Sequence, residues 1–473
     1  MSRMTKTLVV AALAVAANGC SNFLSGDKLD SDPNRPTTAQ ASQLLIASQV
    51  NSYYILNGHA ARVLAMWMQQ FAGTDRQYRG YDQYSITEGL FTEYSSAYTG
   101  GGLIDLRTIQ ADADDAGNRV MSGIAKVWEA LVMSFLADMY GDASYSEAID
   151  GSAHPQPVLD QQAAVYASLQ TVLDGAIADL ATGQGSVGDL DLSLGGDAVA
   201  WGHVAKTLKA RLYLHTAEVN PTAYQQALAQ LCTGAALSSC TLGIQSAAGD
   251  LNEYHSGASG EENIWWQFIA RDRDSYMRPG KFLVDLMNTR NDPRRPEYLQ
   301  LNGNGTYGGA APGEGLNTAR HSNLGLTRLD PAYHQPIVTY LETLAIIAES
   351  AYRTNNLALA RSAVDALIAT YGGTPVGGIS GTTLLTRILE EKYIALFQNY
   401  EVYNDWKRTC YPNLTPASQA YGGNIPARFT YPIAERTSNP DNIPVPGSQP
   451  RRNANDPVSS LSADGTACKG QKP

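Results

Sequence analysis

Between residues 124 and 149 the apolar positions Ile124, Val127, Trp128, Leu131, Phe135 and Met139 recur at steps of three and four, the spacing of one face of an α-helix. Val132, Met133 and Leu136 place apolar side chains on the other flank as well. A helix apolar most of the way round has neighbours on more than one side, so this stretch is expected at the centre of an all-α body. Gly141 follows Tyr140 where a left-handed C-cap is expected. The helical period returns over residues 39–72, broken near Asn57-Gly58, and over 103–140, 161–180, 201–219, 223–231 and 282–287. It closes with 337–353, 357–371 and 384–405. Thr354-Asn355-Asn356 makes 337–371 a helical hairpin, with Ala358, Ala360, Ala363 and Ala366 allowing close packing.

Between these helices the pattern lapses. Residues 76–98 interleave Tyr78, Tyr81, Tyr84, Tyr94 and Tyr98 with Gly, Asp and Ser and are expected to form a loop. Residues 183–196 are a Gly/Asp-rich connector, 299–318 are mostly Gly and Asn, and a short apolar knot sits at Ile264-Trp265-Trp266-Gln267-Phe268. From Pro412 onward no regular element is expected. Helices paired by short loops, with a few long excursions, predict a mainly α fold: a tetratricopeptide-like superhelix of helical hairpins.

Composition adds limits. The 473 residues are 44% hydrophobic and 17% charged, the balance of a folded chain. A net charge of −11 argues against nucleic acid or an anionic membrane surface as main partner. No nucleophile elbow, H-E-x-x-H or Walker A sequence occurs. Residues 303–308 match G-x-G-x-x-G in letters only, since glycine and Pro312 follow where a helix is required. The scattered histidines give no zinc pair. Asp112 and Asp114 are expected on a solvated helix turn, and Asp189 and Asp191 could touch a cation. The adjacent acids Glu261-Glu262 and Glu390-Glu391 point about 100° apart on a helix and are expected as capping or surface groups. No catalytic residue, metal or cofactor is expected. The positive signal is aromatic: 26 Tyr stand against 8 Phe. Tyrosine in a loop suits a sugar face, with the ring stacking and the hydroxyl completing a hydrogen bond. Tyr78, Tyr81, Tyr84 and Tyr307 are the candidate ligand contacts.

Arg3 and Lys6 precede an apolar run at residues 8–17, too short to span a bilayer but suited to a signal peptide. Ala17-Asn18-Gly19-Cys20 resembles a bacterial lipobox, which makes Cys20 the expected lipidation site and residues 1–19 a removable leader. Residues 20–38 then form a flexible tether. Cys232, Cys240, Cys410 and Cys468 remain. In an exported protein they suggest two bridges. Three connectivities are open, with Cys232–Cys240 and Cys410–Cys468 the simplest.

Several segments, in order, resemble the SusD/RagB family of outer-membrane nutrient-binding lipoproteins. Trp67-Met68-Gln69-Gln70-Phe71 resembles its W-x-Q-Q segment. Asp138-Met139-Tyr140-Gly141-Asp142 with Tyr145-Ser146-Glu147-Ala148 resembles D-x-Y-G-D-x-P-Y-S-E-A, with Ser144 where the family usually has Pro. Leu208-Lys209-Ala210-Arg211-Leu212, Asn291-Asp292-Pro293-Arg294 and the helix from Glu342 to Glu349 follow. So do Glu401-Val402-Tyr403-Asn404-Asp405-Trp406-Lys407-Arg408-Thr409 and Pro426-Ala427-Arg428-Phe429. Cys410 stands where a Gly is common, which suits its recruitment into a disulfide. The resemblance implies one SusD-like domain over 39–473, with loop insertions near 73–102, 243–335 and 410–473. It also implies a lipid anchor facing the cell exterior, a SusC-like TonB-dependent transporter as partner, and a glycan or peptide fragment as ligand. Ligand residues in this family lie in variable loops, so none carries over by motif. The rivals are a lipid-anchored scaffold for protein assembly and a glycoside hydrolase. The hydrolase would need two acids roughly 5–10 Å apart in one pocket.

Overall fold

The computed structural model describes residues 39–417 and 425–456. The expected leader, tether, Cys20 and Cys468 lie outside the described residues. The longer helices are α1 (Ala41–Asn57), α2 (His59–Trp67), α3 (Arg76–Asp82), α4 (Leu103–Asp115), α5 (Arg119–Tyr140), α6 (Gln162–Thr182) and α7 (Ala198–His215). They continue as α8 (Ala223–Leu231), α9 (Lys281–Thr289), α10 (Tyr340–Arg353), α11 (Leu357–Ala369), α12 (Gly381–Ala395) and α13 (Glu401–Thr409). From α4 to α8 each helix packs on the next; α8 then meets α10, which carries both α11 and α12. That is the expected superhelix of hairpins. Two short antiparallel pairings pin the excursions to it: β1 (Phe71–Gly73) with β3 (Met277–Pro279), and β2 (Leu251–Asn252) with β4 (Pro336–Val338).

Four expectations about elements need correction, of which the tyrosine-rich stretch at 76–98 is described with the site. The 103–140 stretch is two helices, because Gly117 turns at φ +69° and the Asn118 side chain caps α5 by accepting from the Met121 N–H at 3.1 Å. The 384–405 stretch also breaks. Gln398 takes φ +66°, and its N–H donates to Gln70 Oε1 at 3.0 Å. The Gln70 amide in turn donates to the Tyr393 carbonyl at 2.9 Å and to Leu396 at 3.2 Å. The W-x-Q-Q glutamine therefore finishes one helix and sets the angle of the next. A short helix, Ile433–Ser438, lies where no regular element was expected.

Helix α5 is long and apolar enough to cross a membrane, yet 94% of its apolar window is buried in the fold. Its Trp128 meets Tyr53 at 5.9 Å and Trp201 at 5.7 Å between ring centroids. At its end Gly141 adopts φ +81°. Arg428 Nε donates to the Tyr140 carbonyl at 2.9 Å, and the Tyr431 hydroxyl donates to the Asp142 carbonyl at 2.6 Å. This turn holds the C-terminal segment to the helical body. A Cβ on Gly141 would lie 3.0 Å from Asn453 Oδ1 in a backbone region closed to other residues. Gly141→Ala is expected to destabilise by about 1–3 kcal/mol, read as a lower urea midpoint; an unchanged midpoint would remove the turn from the list of structural anchors.

The layers are tied by ion pairs taken out of water. Arg211 reaches Glu342 with Nε and Nη2 at 2.6 Å each, and Arg408 grips Glu349 through two bonds of 2.6 Å. Arg294 spans Asp292 and Glu391 at 2.6 and 2.8 Å, and Lys392 meets Asp405 at 2.8 Å. Glu391 is fully buried in mid-helix and so is neither the capping nor the surface group expected of its pair, whereas Glu262 accepts from the Gly260 N–H ahead of a helical turn. Arg290 and Arg294 converge on Glu391 and make its burial tolerable. Cys232 is bonded to Cys240, as expected. Cys410 is also a disulfide cysteine.

Candidate functional site

Ligand-sized space gathers around the excursion from Glu253 to Tyr276. Asn263 starts a short helical turn, Ile264–Trp266, by accepting from the Trp265 and Trp266 N–H groups at 2.9 and 3.0 Å. The turn runs on as a π-helical stretch, Gln267–Asp272, a geometry that recurs at functional sites. Trp265 points inward against Phe71 at 5.3 Å and is fully buried. Trp266, Gln267 and Phe268 are half-buried on the outer side.

Between this excursion and α1 lies a cleft of about 350 Å3, lined among others by Val50, Tyr54, Tyr254, Glu261, Ile264 and Gln267. Tyr54 and Tyr254 keep 40% and 46% of their surface exposed. Tyr54 is oriented by its hydroxyl, 2.7 Å from Thr92 Oγ1, and Tyr254 by the ring of His334 at 5.1 Å. Behind the cleft, Glu253 accepts from Asn57 Nδ2 at 2.6 Å and pairs with His255 Nε2 at 3.0 Å. Burial raises the Glu253 carboxyl despite those partners. Glu262 accepts from the Gly260 N–H at 2.8 Å, and that bond holds its carboxyl below the usual range. The cleft offers stacking rings and fixed polar groups, which is the equipment of binding.

A second, open depression of about 550 Å3 lies over α3, lined by Asp75, Arg76, Arg79, Gly80 and Gln83. Arg79 is braced by a 3.0 Å bond from Nη2 to the Gly313 carbonyl. Arg76 holds φ +49° at the start of α3, a conformation that costs energy and recurs at ligand clamps.

The tyrosines expected in a loop are differently placed. Arg76–Asp82 is helical, and its inner face buries Tyr78. Only 2% of Tyr78 is exposed, its hydroxyl lies 3.0 Å from His59 Nδ1, and its ring is 4.7 Å from Phe268. Tyr84 is 4% exposed, set edge-on to Trp67, and its hydroxyl accepts from the Ala417 N–H at 3.2 Å. Both are core residues, so their expected role as ligand contacts is corrected. Tyr81 stays half-buried beside Tyr78 and His59. Tyr307 is half-buried elsewhere, under the Arg295 guanidinium at 5.4 Å. Tyr54 and Tyr254 were missed. The available signal was Ile46, Val50 and Tyr54, an apolar row at four-residue spacing on α1 that remains exposed.

Two acidic features are structural. Asp191 accepts from the Ser193 and Gly196 N–H groups at 3.1 and 2.8 Å and from Trp201 Nε1 at 2.6 Å, so its carboxylate staples a loop. Asp138, His215 and Glu401 cluster closely enough to suggest a metal centre. His215, however, commits Nδ1 to Asp138 at 2.9 Å and Nε2 to Glu401 at 2.7 Å. Burial alone would lower its pKa, but the two carboxylates outweigh it and raise it to about 10. Both ring nitrogens of His215 are thus engaged by carboxylates, and the three side chains form an ion bridge between α5, α7 and α13.

A hairpin superhelix with an aromatic surface cleft defines a protein that binds ligand on a rigid frame. The chain belongs to the SusD-like family, described as starch-binding and associating with the outer membrane, whose profile matches residues 33–432. No curated protein matches the chain. Among solved structures it is similar to a chitin-binding protein, at 22% identity and a TM-score of 0.73, covering 88% of this chain and 100% of that one. It is also similar to a SusD-like protein from Bacteroides thetaiotaomicron, at 21% identity and a TM-score of 0.70 over 85% and 94% of the two chains. A third is a chitin-binding SusD homolog from Flavobacterium johnsoniae, at 17% identity and a TM-score of 0.69 over 87% and 98%. These likenesses establish the fold, and the family sets the class: a carbohydrate-binding protein of the outer membrane.

Proposed function

We propose that the chain is a lipid-anchored, cell-surface protein that captures glycan fragments and passes them unchanged to a SusC-like TonB-dependent transporter. The observation that carries this reading is the cleft beside α1, where Tyr54 and Tyr254 present exposed rings above fixed polar groups. A sugar stacks its C–H face on such rings, while Gln267 and Glu261 meet its hydroxyls. Tyr81, half-buried on α3, and Tyr307, on the Gly-rich excursion, are further contacts in this reading. Cys20 supplies the anchor. Ligand contacts made only in the closed state would shift the protein toward closure over the transporter mouth.

Titration calorimetry with malto- and chito-oligosaccharides tests this. The chito series is included because two structurally similar proteins are described as chitin-binding. Tyr254→Ala is expected to weaken binding by about 10- to 30-fold, the loss of one aromatic anchor, with the melting temperature unchanged. Binding of peptide digests in place of every saccharide would redirect the ligand class, and an unaltered affinity in Tyr254→Ala would move the site away from this cleft.

A further inference from the structure

The depression over α3 differs from the cleft beside α1 in its charge. Arg76 and Arg79 stand three residues apart on α3, the spacing that sets two side chains on one face of a helix. Both are exposed, and both line the depression. Arg79 is held in place by its bond to the Gly313 carbonyl. Gly313 is itself fixed, since its N–H donates to Asp82 Oδ2 at 2.7 Å, and nearby the Leu316 N–H donates to the Thr74 carbonyl at 3.1 Å.

The acids at hand offset this pair only in part. Asp75 spends Oδ1 on the Arg76 N–H at 2.8 Å and Oδ2 on the Ser275 hydroxyl at 2.7 Å. Among the described residues no carboxylate forms an ion pair with either arginine. Asp82 is turned inward, and burial pushes its carboxyl up to about 8, which leaves it mostly protonated at pH 7. Two like charges side by side on one helix face repel. Arg76 adds a second cost by holding φ +49°. An anion bound at the depression removes the first cost and gives the second a use. In a chain of net charge −11 the surface at large repels an anion, and this pair marks a place that attracts one.

We infer that the depression over α3 binds the acidic group, carboxylate or sulfate, of a charged saccharide through the side chains of Arg76 and Arg79. The planar fork of arginine meets such a group with paired N–H bonds, and charge-assisted bonds of this kind are stronger than neutral ones. The helix start contributes nothing to the grip, since the Arg76 N–H is taken by Asp75. Gln83, also in the lining, offers an amide to the neighbouring hydroxyls. The choice of a saccharide rests on the carbohydrate-binding reading above; the arginine pair and its call for an anion stand without it.

The test is calorimetry on the lipid-free mature chain at about 50 and about 500 mM salt. The probes are tetragalacturonate for a carboxylate, a sulfated carrageenan tetraose for a sulfate, maltotetraose and chitotetraose as neutral chains, and tetraglutamate as an acidic peptide. One acidic tetraose is expected to bind about tenfold tighter than both neutral ones at the lower salt, and to lose most of that margin at the higher. Whichever it is names the acid. Arg76→Gln and Arg79→Gln should each weaken it about tenfold and spare the neutral chains. Arg79→Lys, which keeps the charge and loses the fork, should fall between. The Arg76 side chain is exposed and bonds to no described residue, so its variant reads binding with the fold intact. Neutral chains binding as tightly as the acidic ones, or acidic binding that both Gln variants leave untouched, overturns the acidic site and leaves the carbohydrate reading standing. The same holds where only neutral chains bind. Tetraglutamate bound in place of every saccharide, or no binding by any probe, overturns both.

Discussion

Arg408→Ala is expected to lower the unfolding free energy by about 3–5 kcal/mol, the usual loss when one member of a buried ion pair is removed. Arg408 and Glu349 are both fully buried. The arginine fork makes two 2.6 Å bonds to Glu349 and also holds Asp405 at 2.5 Å. Truncation strips Glu349 of its bidentate partner inside the protein and leaves Asp405 to Lys392 alone among these cations. The companion variant is the double change Arg408→Met with Glu349→Leu. Replacing both charges by apolar groups of similar length is expected to restore much of the loss, because the desolvation penalty vanishes along with the attraction. Urea unfolding of the wild type, the single and the double variant checks this. A single variant as stable as the wild type would show that the pair bears no part of the frame.

The other large effect concerns pH. His215, at the end of α7, bridges Asp138 of α5 and Glu401 of α13, and its pKa is raised to about 10 against burial. Burial would raise the Glu401 carboxyl, but His215 and Arg211 hold it well below the usual carboxylate range. A group whose folded pKa lies above its unfolded value, near 6.5 for histidine, binds protons more tightly in the folded state. Its stabilisation is therefore complete below about pH 6.5 and is lost as pH climbs toward 10. Glu401 has the opposite sign: its contribution is present above about pH 4.3 and fades as pH falls. The bridge supports the fold best between about pH 4.5 and 6.5. His215→Gln should cost about 3–5 kcal/mol at pH 6 and flatten the fall in stability between pH 6.5 and 10. Equal slopes in variant and wild type over that range would sink the assignment.

The frame was legible in the sequence because its evidence is periodic. Helix α5, the hairpin of α10 and α11, and α8 announce themselves through apolar spacing alone. The family segments add connections that periodicity cannot express. Arg211 in L-K-A-R-L and Glu342 at the head of its helix are 131 positions apart in sequence yet form one ion pair. Gln70 closes a helix end 323 positions away. The binding surface was harder. Tyr78 and Tyr84 sit among Gly, Asp and Ser, which suggested a loop; seven residues of that stretch coil into α3 because tertiary packing against α2 and Phe268 rewards it. Tyr54 looked like part of a core helix, since its neighbours carry the core spacing. Which of two helix faces stays bare depends on what the excursion from Glu253 to Tyr276 covers, and no local pattern states that.

The buried ion pairs have a bearing on where such a protein can work. Mobile ions screen charges that water can reach, with a range near 10 Å at 0.1 M salt and about 3 Å at 1 M. The exposed Lys281–Asp285 pair at 2.6 Å lies open to that screening. Arg211–Glu342, Arg408–Glu349 and the His215 bridge lie where salt does not penetrate. The attraction within these pairs therefore changes little from fresh water to brine, while surface contacts made by charge loosen and tighten with the salinity of the medium.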